Sequence, residues 1–209
     1  LPACLLAFAV LAYLPDSPQS ASWLNAEEKA LIAERLCRET ESQSHRLSTL
    51  GAAPLDRRVL LLGLVYLGIV IGLYGIGFWL PQIVKAEGLD NYSVGLVVAV
   101  PYIASTVAMV VWGRRSDRVN ERVAHVVAPA LLSACGFTAA AVLGSSWLAV
   151  VCLGIAAVGI CAALAPFWAT PPIFLGGTAA AGGIALINAI GNLGGFLGPY
   201  LVGWIKDAT

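Results

Sequence analysis

Charged residues are scarce in this chain of 209 residues, and they are unevenly placed. Only 11% of the residues are Asp, Glu, Lys or Arg, and the 12 basic and 12 acidic side chains cancel. The 83 positions from 123 to 205 contain none of them. Soluble domains carry about a quarter charged residues, and a stretch this apolar could not form a solvated surface. The composition argues against a soluble enzyme, a disordered chain and a nucleic-acid partner, and it indicates an integral membrane protein.

Residues that could ligate a metal or attack a substrate are also few. The two histidines are His45 and His125, and we find no metal-ligand spacing around either one. The five cysteines form no CxxC pair and are expected to pack as small apolar residues. No span offers a nucleophile with a base within one turn, His125 near an interface excepted. The sequence therefore predicts no catalytic residue, no metal and no cofactor.

Long apolar runs dominate what is present. About 20 apolar residues are needed for a helix to cross a bilayer. An initial run, 1–14, is too short and lacks the features of a signal peptide, so we expect it to be the end of a longer span, with the chain a fragment of a polytopic protein. Five runs are long enough, and the sequence predicts spans at Val59–Leu80, Tyr92–Trp112, Val123–Leu143, Trp147–Trp168 and Ala179–Ile205.

The positions of Lys and Arg predict the orientation of these spans. Six basic residues lie in 15–58, one in 81–91, four in 113–122 and none in 144–146. Because cytoplasmic loops are enriched in Lys and Arg, the first and third of these segments are expected to be cytoplasmic. Asn25 and Glu28 have the spacing of a capping box, which predicts a short helix within the first segment.

The loop predicted at Gly113–Arg122 carries the strongest local motif. Glycine there permits close helix approach. Asp117 is expected to accept hydrogen bonds from the first N–H groups of the following helix. A loop of this kind could hold two spans together in one state and release them in another, although topology alone would also explain its basic residues. The latch motif is defined by Gly113, Arg114, Asp117, Arg118 and Arg122.

Gly-x-x-x-Asp-Arg between two spans resembles the cytoplasmic-loop signature of the major facilitator superfamily. The copy at 113–118 departs from the fuller pattern, because Val-Asn-Glu occupies 119–121 where Gly and further Arg are usual. Further segments resemble the anion:cation symporter branch, which includes tartrate, hexonate and aromatic-acid permeases. They are LPDSP at 14–18, WLNAEE at 23–28, GFWLPQ at 77–82, the glycine-rich stretch 176–200, and GWIKD at 203–207.

The resemblance implies an all-α membrane protein that forms part of a major-facilitator helix bundle. Residues 1–14 would be the end of helix 6, 15–56 a cytoplasmic connector between the halves, and 57–209 the C-terminal bundle with helices 7–11. Helix 12 and the N-terminal half would be absent. The implied function is secondary active transport of a small organic anion across a bacterial inner membrane, by cation (proton) symport and rocker-type alternating access.

The last span contains the sharpest candidate for a transport site. Asn188 and Asn192 lie four residues apart and therefore share one helix face. Buried amides in hydrocarbon require a partner or a water-filled cavity. They are expected either to line a substrate cavity or to clamp two helices together. Small residues spaced four apart also predict close helix packing, at Gly191, Gly194, Gly195 and Gly198.

Three further polar or aromatic residues are cavity candidates. Tyr74 and Gln82 lie toward the outer end of the first long span, and Trp168 ends the fourth. An aromatic residue at these depths could equally anchor the helix at the membrane interface.

None of the five spans has an Asp, Glu, Lys or Arg in its middle. The expected partners are a substrate anion, a coupling cation, the lipid bilayer and the missing N-terminal half, so charge recognition and coupling would fall to that half. The alternatives are a membrane subunit without transport activity, a membrane-embedded enzyme, or a transporter of another substrate class.

Overall fold

The computed structural model describes residues 2–15, 17–42, 56–144 and 146–208. Helices account for nearly all of these residues, and none of them forms an extended strand. The chain divides into two compact units, Leu1–Arg46 and Leu47–Thr209. The helices are α1 (Pro2–Tyr13), α2 (Ala26–Ser42), α3 (Arg57–Ala86), α4 (Asn91–Val119), α5 (Val123–Leu143), α6 (Trp147–Trp168), α7 (Pro171–Phe174) and α8 (Gly177–Ala208).

The first unit contains α1 and α2. The capping box that starts α2 forms as the spacing predicts: the Glu28 N–H donates to Asn25 Oδ1 at 2.8 Å, and the Asn25 N–H donates to Glu28 Oε2 at 3.0 Å. These two bonds satisfy N–H groups that a helix start leaves without partners. The segment 43–55 of the predicted connector, which includes His45, lies outside the described residues. The division of the chain at 14 and 56 therefore stays a prediction.

The second unit contains the five helices that are long and apolar enough to cross a membrane. Each coincides with one of the predicted spans, and the expected all-helical bundle is confirmed. Three helices extend beyond the apolar runs: α3 continues to Ala86, α4 to Val119 and α8 to Ala208. Hydropathy marks where lipid can surround a helix, whereas backbone hydrogen bonding continues through polar residues with good helix propensity.

Helix α6 lies against α3, α4 and α5 and is the most deeply buried of the five. Its approach to α5 depends on glycine. A Cβ at Gly136 would lie 2.7 Å from the Cys152 carbonyl oxygen, and one at Gly159 would lie 2.5 Å from the Pro129 oxygen. Both distances are shorter than van der Waals contact, so the backbones of α5 and α6 meet where no side chain intervenes.

Helices α3 and α8 form the other close pair and run in the same direction. A Cβ at Gly194 would lie 2.7 Å from the Leu67 carbonyl oxygen, and one at Gly198 would lie 2.9 Å from that of Ile71. These contacts fix which face of α8 is turned toward α3. The opposite face of α8 is exposed in this chain.

Candidate functional site

The exposed face of α8 carries the two predicted amides. Asn192 Nδ2 donates to Asn188 Oδ1 at 2.8 Å and to the Asn188 carbonyl oxygen at 2.9 Å. Both residues are exposed, and in the described part of the chain their hydrogen bonds stay within α8. The amides thus do not bridge two described helices. This arrangement leaves the side-chain Nδ2 of Asn188 and the side-chain Oδ1 of Asn192 available for other partners on the exposed face of α8.

The predicted packing glycines lie on the opposite and flanking faces of α8. Gly191, Gly194 and Gly198 are buried, and Gly195 is half-buried. A Cβ at Gly191 would lie 1.9 Å from Tyr66 Cδ1, and one at Gly195 would lie 3.3 Å from the Tyr74 ring. The two tyrosines of α3 therefore pack directly on the backbone of α8, Tyr66 at the level of the amide pair and Tyr74 about one turn beyond Asn192.

Of the two other candidates on α3, Tyr74 packs against α8 at Gly195, about one turn from Asn192. Tyr74 is 42% exposed and stacks on Phe78, with ring centroids 6.4 Å apart. It lines an open groove of about 390 Å³ with Leu73, Gly77, Phe78 and Tyr102. Gln82 instead donates from Nε2 to the Phe78 carbonyl oxygen at 3.1 Å, within its own helix.

Trp168 belongs to an aromatic cluster that joins α6 to α3. Its ring packs edge-on against the rings of Tyr66 and Phe167, with ring centroids 4.9 Å and 5.3 Å apart. Tyr66 also stacks on Phe167 at 5.4 Å. Aromatic pairs with these geometries stabilise a structure by about 0.5–1.5 kcal/mol each. Sequence analysis missed Tyr66, because a tyrosine within an apolar run looks like any large core residue.

Asn188 and Asn192 on the exposed face of α8 offer neutral hydrogen-bonding groups, as do Tyr66 and Tyr74 of α3 and Trp168 of α6. Amide, phenol and indole groups can bind hydroxyl or carboxylate oxygens, and none of them carries a charge at neutral pH. These groups could orient a polar ligand but could not by themselves neutralise an anion.

The latch motif is helical, which corrects the predicted loop. Helix α4 runs through Gly113, Arg114, Asp117 and Arg118, and only residues 120–122 separate it from α5. Asn120 ends α4 in the left-handed conformation, with φ of 52°. Asparagine tolerates this conformation better than most residues, so the chain can turn within three residues.

Glu121, not Asp117, receives the N–H groups at the start of α5. Its carboxylate accepts from the Ala124 N–H at 2.8 Å and from the His125 N–H at 3.3 Å. These bonds, first that from Ala124 and then those from His125, hold the pKa of Glu121 below its ordinary value. Asp117 instead forms an ion pair with Arg122. The sequence prediction failed because Asp117 lies within α4, six residues before α5 begins at Val123.

Glu121 also contacts the His125 side chain, with 2.8 Å between Oε2 and Nδ1. This pair has i,i+4 spacing, which the sequence analysis passed over. Ser116 is buried beneath the connection and donates to the Glu121 carbonyl oxygen at 2.6 Å. It also accepts from Arg122 at 3.0 Å. The connection between α4 and α5 is therefore a compact polar network.

Comparison with known proteins places the chain in a transporter family. The family model "Major Facilitator Superfamily" matches residues 1–199. The chain belongs to the major facilitator superfamily, as its motifs indicate, and it is an integral membrane protein.

Two relatives from Agrobacterium vitis both carry the name "Putative tartrate transporter". They are 46% and 43% identical over 208 residues, which cover 100% of this chain and 46% and 48% of the relatives. A "Quinolone resistance transporter" from Acinetobacter baumannii is 36% identical, over 100% of this chain and 49% of its own length. The chain thus spans about half the length of these relatives. No solved structure gives a significant match.

Proposed function

We propose that this chain is the C-terminal half of a secondary active transporter for a small organic anion, such as tartrate or a sugar acid. Membership of the superfamily supports transport, and the names of the two Agrobacterium relatives support a hydroxy-carboxylate. The full-length transporter would lie in a bacterial inner membrane. Residues 15–56 would connect its two halves on the cytoplasmic side.

The amide pair of α8 is the observation that carries this proposal. Asn188 and Asn192 occupy a helix face that no described residue covers, although amides in hydrocarbon are costly without partners. A cavity between the two halves would supply water and substrate to this face. The hydroxyl and carboxylate oxygens of tartrate match the donors and acceptors of two amides.

Charge recognition and coupling are assigned to the other half. A carboxylate is bound most strongly by Arg, Lys or a helix N-terminus. The middles of α3, α4, α5, α6 and α8 contain no basic or acidic residue. We therefore propose that the N-terminal half neutralises the substrate and carries the coupling cation, a proton, while this half orients the hydroxyl groups. The substrate site would open alternately to the two sides of the membrane as the two halves rock about it.

Uptake of radiolabelled tartrate by the full-length transporter in proteoliposomes tests the site. Asn192→Ala is expected to raise KM about ten- to a hundredfold, since a hydrogen bond to a charged ligand is worth about 1.5–3 kcal/mol. The melting temperature should change little, because the amide bonds only within its own helix. Leu193→Ala is the matched control, as Leu193 is also exposed on α8.

The opposite pattern would contradict the proposal. If Asn192→Ala lowers the melting temperature and leaves KM unchanged, the amides act as a helix clamp. If the parent protein takes up no tartrate, the substrate assignment fails.

The groove beside Tyr74 favours a second candidate, a planar aromatic acid. Three aromatic rings border its volume of about 390 Å³, those of Tyr74, Phe78 and Tyr102. Aromatic walls stack well on a planar ligand, and one relative is named for quinolone resistance. Competition of tartrate uptake by benzoate, and its loss in Phe78→Ala, would favour this candidate over a sugar acid.

A further inference from the structure

The connection between α4 and α5 contains a second contact, separate from the exposed ion pair. Trp112 of α4 donates from Nε1 to the backbone oxygen of His125 at 2.8 Å. The two rings also pack against each other, with centroids 5.1 Å apart. His125 is only 8% exposed and Trp112 is half-buried, so this contact is largely shielded from solvent.

Glu121 completes this contact from the connection itself. An ionised carboxylate only accepts hydrogen bonds, so His125 Nδ1 must carry the proton that lies between them. Glu121 is ionised at neutral pH, as a glutamate ordinarily is, and its hydrogen bonds lower its pKa further. The imidazole is therefore held by Glu121 on one side and by the Trp112 ring on the other. We call these three residues the α4–α5 joint.

Beyond the joint, α4 and α5 are separated by open space, so the joint is an important contact between them. A crevice of about 310 Å³ lies there, between Val111 and Trp112 of α4 and Pro129 and Leu132 of α5, with Ala162 of α6 at its base. Both helices pack on α6. The joint thus connects α4 directly to α5 near their linked ends, through the Trp112 hydrogen bond to the His125 backbone and the contact of the two rings.

The ion pair of the latch motif has a different environment. The Asp117 side chain is 66% exposed, whereas that of Arg122 is 18% exposed. An exposed ion pair contributes little stability and is readily exchanged for water or another partner. The joint is more enclosed, with the Glu121 side chain 39% exposed and that of His125 10% exposed. Separating α4 from α5 would leave the Trp112 indole N–H without its hydrogen-bond partner.

We propose that Glu121, together with His125 and Trp112, positions α5 against α4 so that the two helices move as one body during transport, while the Asp117–Arg122 pair is the contact that exchanges. Glu121 and His125 are positioning residues that act through helix geometry and do not touch the substrate. The proposal rests on the proposed transport function only where uptake is measured.

A distance measurement tests the joint without any substrate. Spin labels are placed at Val107 of α4 and Leu131 of α5, both of which are exposed. The background is the full-length transporter with its native cysteines replaced. Pulsed electron–electron double resonance on the parent protein should give one narrow distribution of the distance between the two labels. His125→Leu, which keeps bulk but removes the donor, should broaden it.

His125→Asn is the matched rescue variant, because its amide nitrogen replaces Nδ1 at the same position along the side chain. It should restore the narrow distribution. In proteoliposomes, His125→Leu should lower the Vmax of tartrate uptake about tenfold with KM unchanged, and His125→Asn should recover most of it. If His125 only filled space, His125→Leu would keep a higher Vmax than His125→Asn.

The possible outcomes separate the two proposals. A distribution in His125→Leu as narrow as in the parent, or one in His125→Asn as broad as in His125→Leu, would overturn the joint. If His125→Leu does not fold, Glu121→Gln takes its place and should broaden the distribution in the same way. If the parent transports no tartrate, the substrate proposal fails while the distance measurement still decides the joint.

Discussion

The contact between Gly191 and Tyr66 gives a prediction whose size follows from the structure. In Gly191→Ala the new methyl group would lie 1.9 Å from Tyr66 Cδ1 and 2.7 Å from Cε1. The ring must move, which breaks its stacking on Phe167 and its edge contact with Trp168. Overpacking costs about 1–3 kcal/mol, and each aromatic pair is worth about 0.5–1.5 kcal/mol. Alanine returns about 1 kcal/mol through its better helix propensity. The expected net loss is therefore about 1–5 kcal/mol.

Thermal unfolding of the purified full-length transporter in detergent measures this loss. Stability changes shift Tm by about 2–4 °C per kcal/mol in units of this size, so a fall of roughly 2–20 °C is expected. Gly203→Ala is the control, because it lies on the same helix and its Cβ would meet nothing within 4 Å. Equal melting temperatures for the two variants would refute the packing described for Tyr66.

Three further predictions concern the ends of the helices. Asp117→Asn should slow transport while membrane insertion stays normal, as measured by uptake and by protein abundance; unchanged uptake would reduce the latch motif to a topology signal. The Tm advantage of the parent over Glu121→Gln should be present above pH about 4.5, the ordinary pKa of a glutamate, and should be lost as the pH falls through the depressed folded-state pKa; a difference that stays constant from pH 3 to 7 would contradict the assignment. Membrane-impermeant thiol reagents should label Val119→Cys only from the cytoplasm and Asp90→Cys only from outside, and the reverse would invert the topology; Ser116 is unsuitable as a reporter because it is buried.

The membrane-spanning architecture was readable from the sequence, because crossing a bilayer demands a minimum length of apolar helix. The spacing of Asn188 and Asn192 likewise placed them on one face, since helix periodicity alone decides this. Their hydrogen bond to each other was not foreseen, because side-chain rotamers depend on what stands opposite. The role of Tyr66 could be recognised only from the structure, in which Gly191, far away in the sequence, packs against its ring.

The start of α5 shows a second limit of sequence reasoning. Asp117 and Glu121 are both acidic residues near the expected helix boundary, and a shift of one turn decides which of them faces the new N–H groups. The boundary was misplaced because the motif was treated as a loop. Arg114, Asp117 and Arg118 are polar enough to end a membrane span without ending the helix.

The hydrogen bond between Asn192 and Asn188 also bears on how α8 enters the bilayer during synthesis. α8 is the least apolar of the five candidate spans, so its insertion has the smallest margin. Each amide exposed to hydrocarbon would reduce that margin further. Because one amide donates to the other inside the same helix, part of this cost is removed before any neighbouring helix has arrived. The pair therefore makes the membrane integration of α8 less dependent on prior assembly than its composition alone would require.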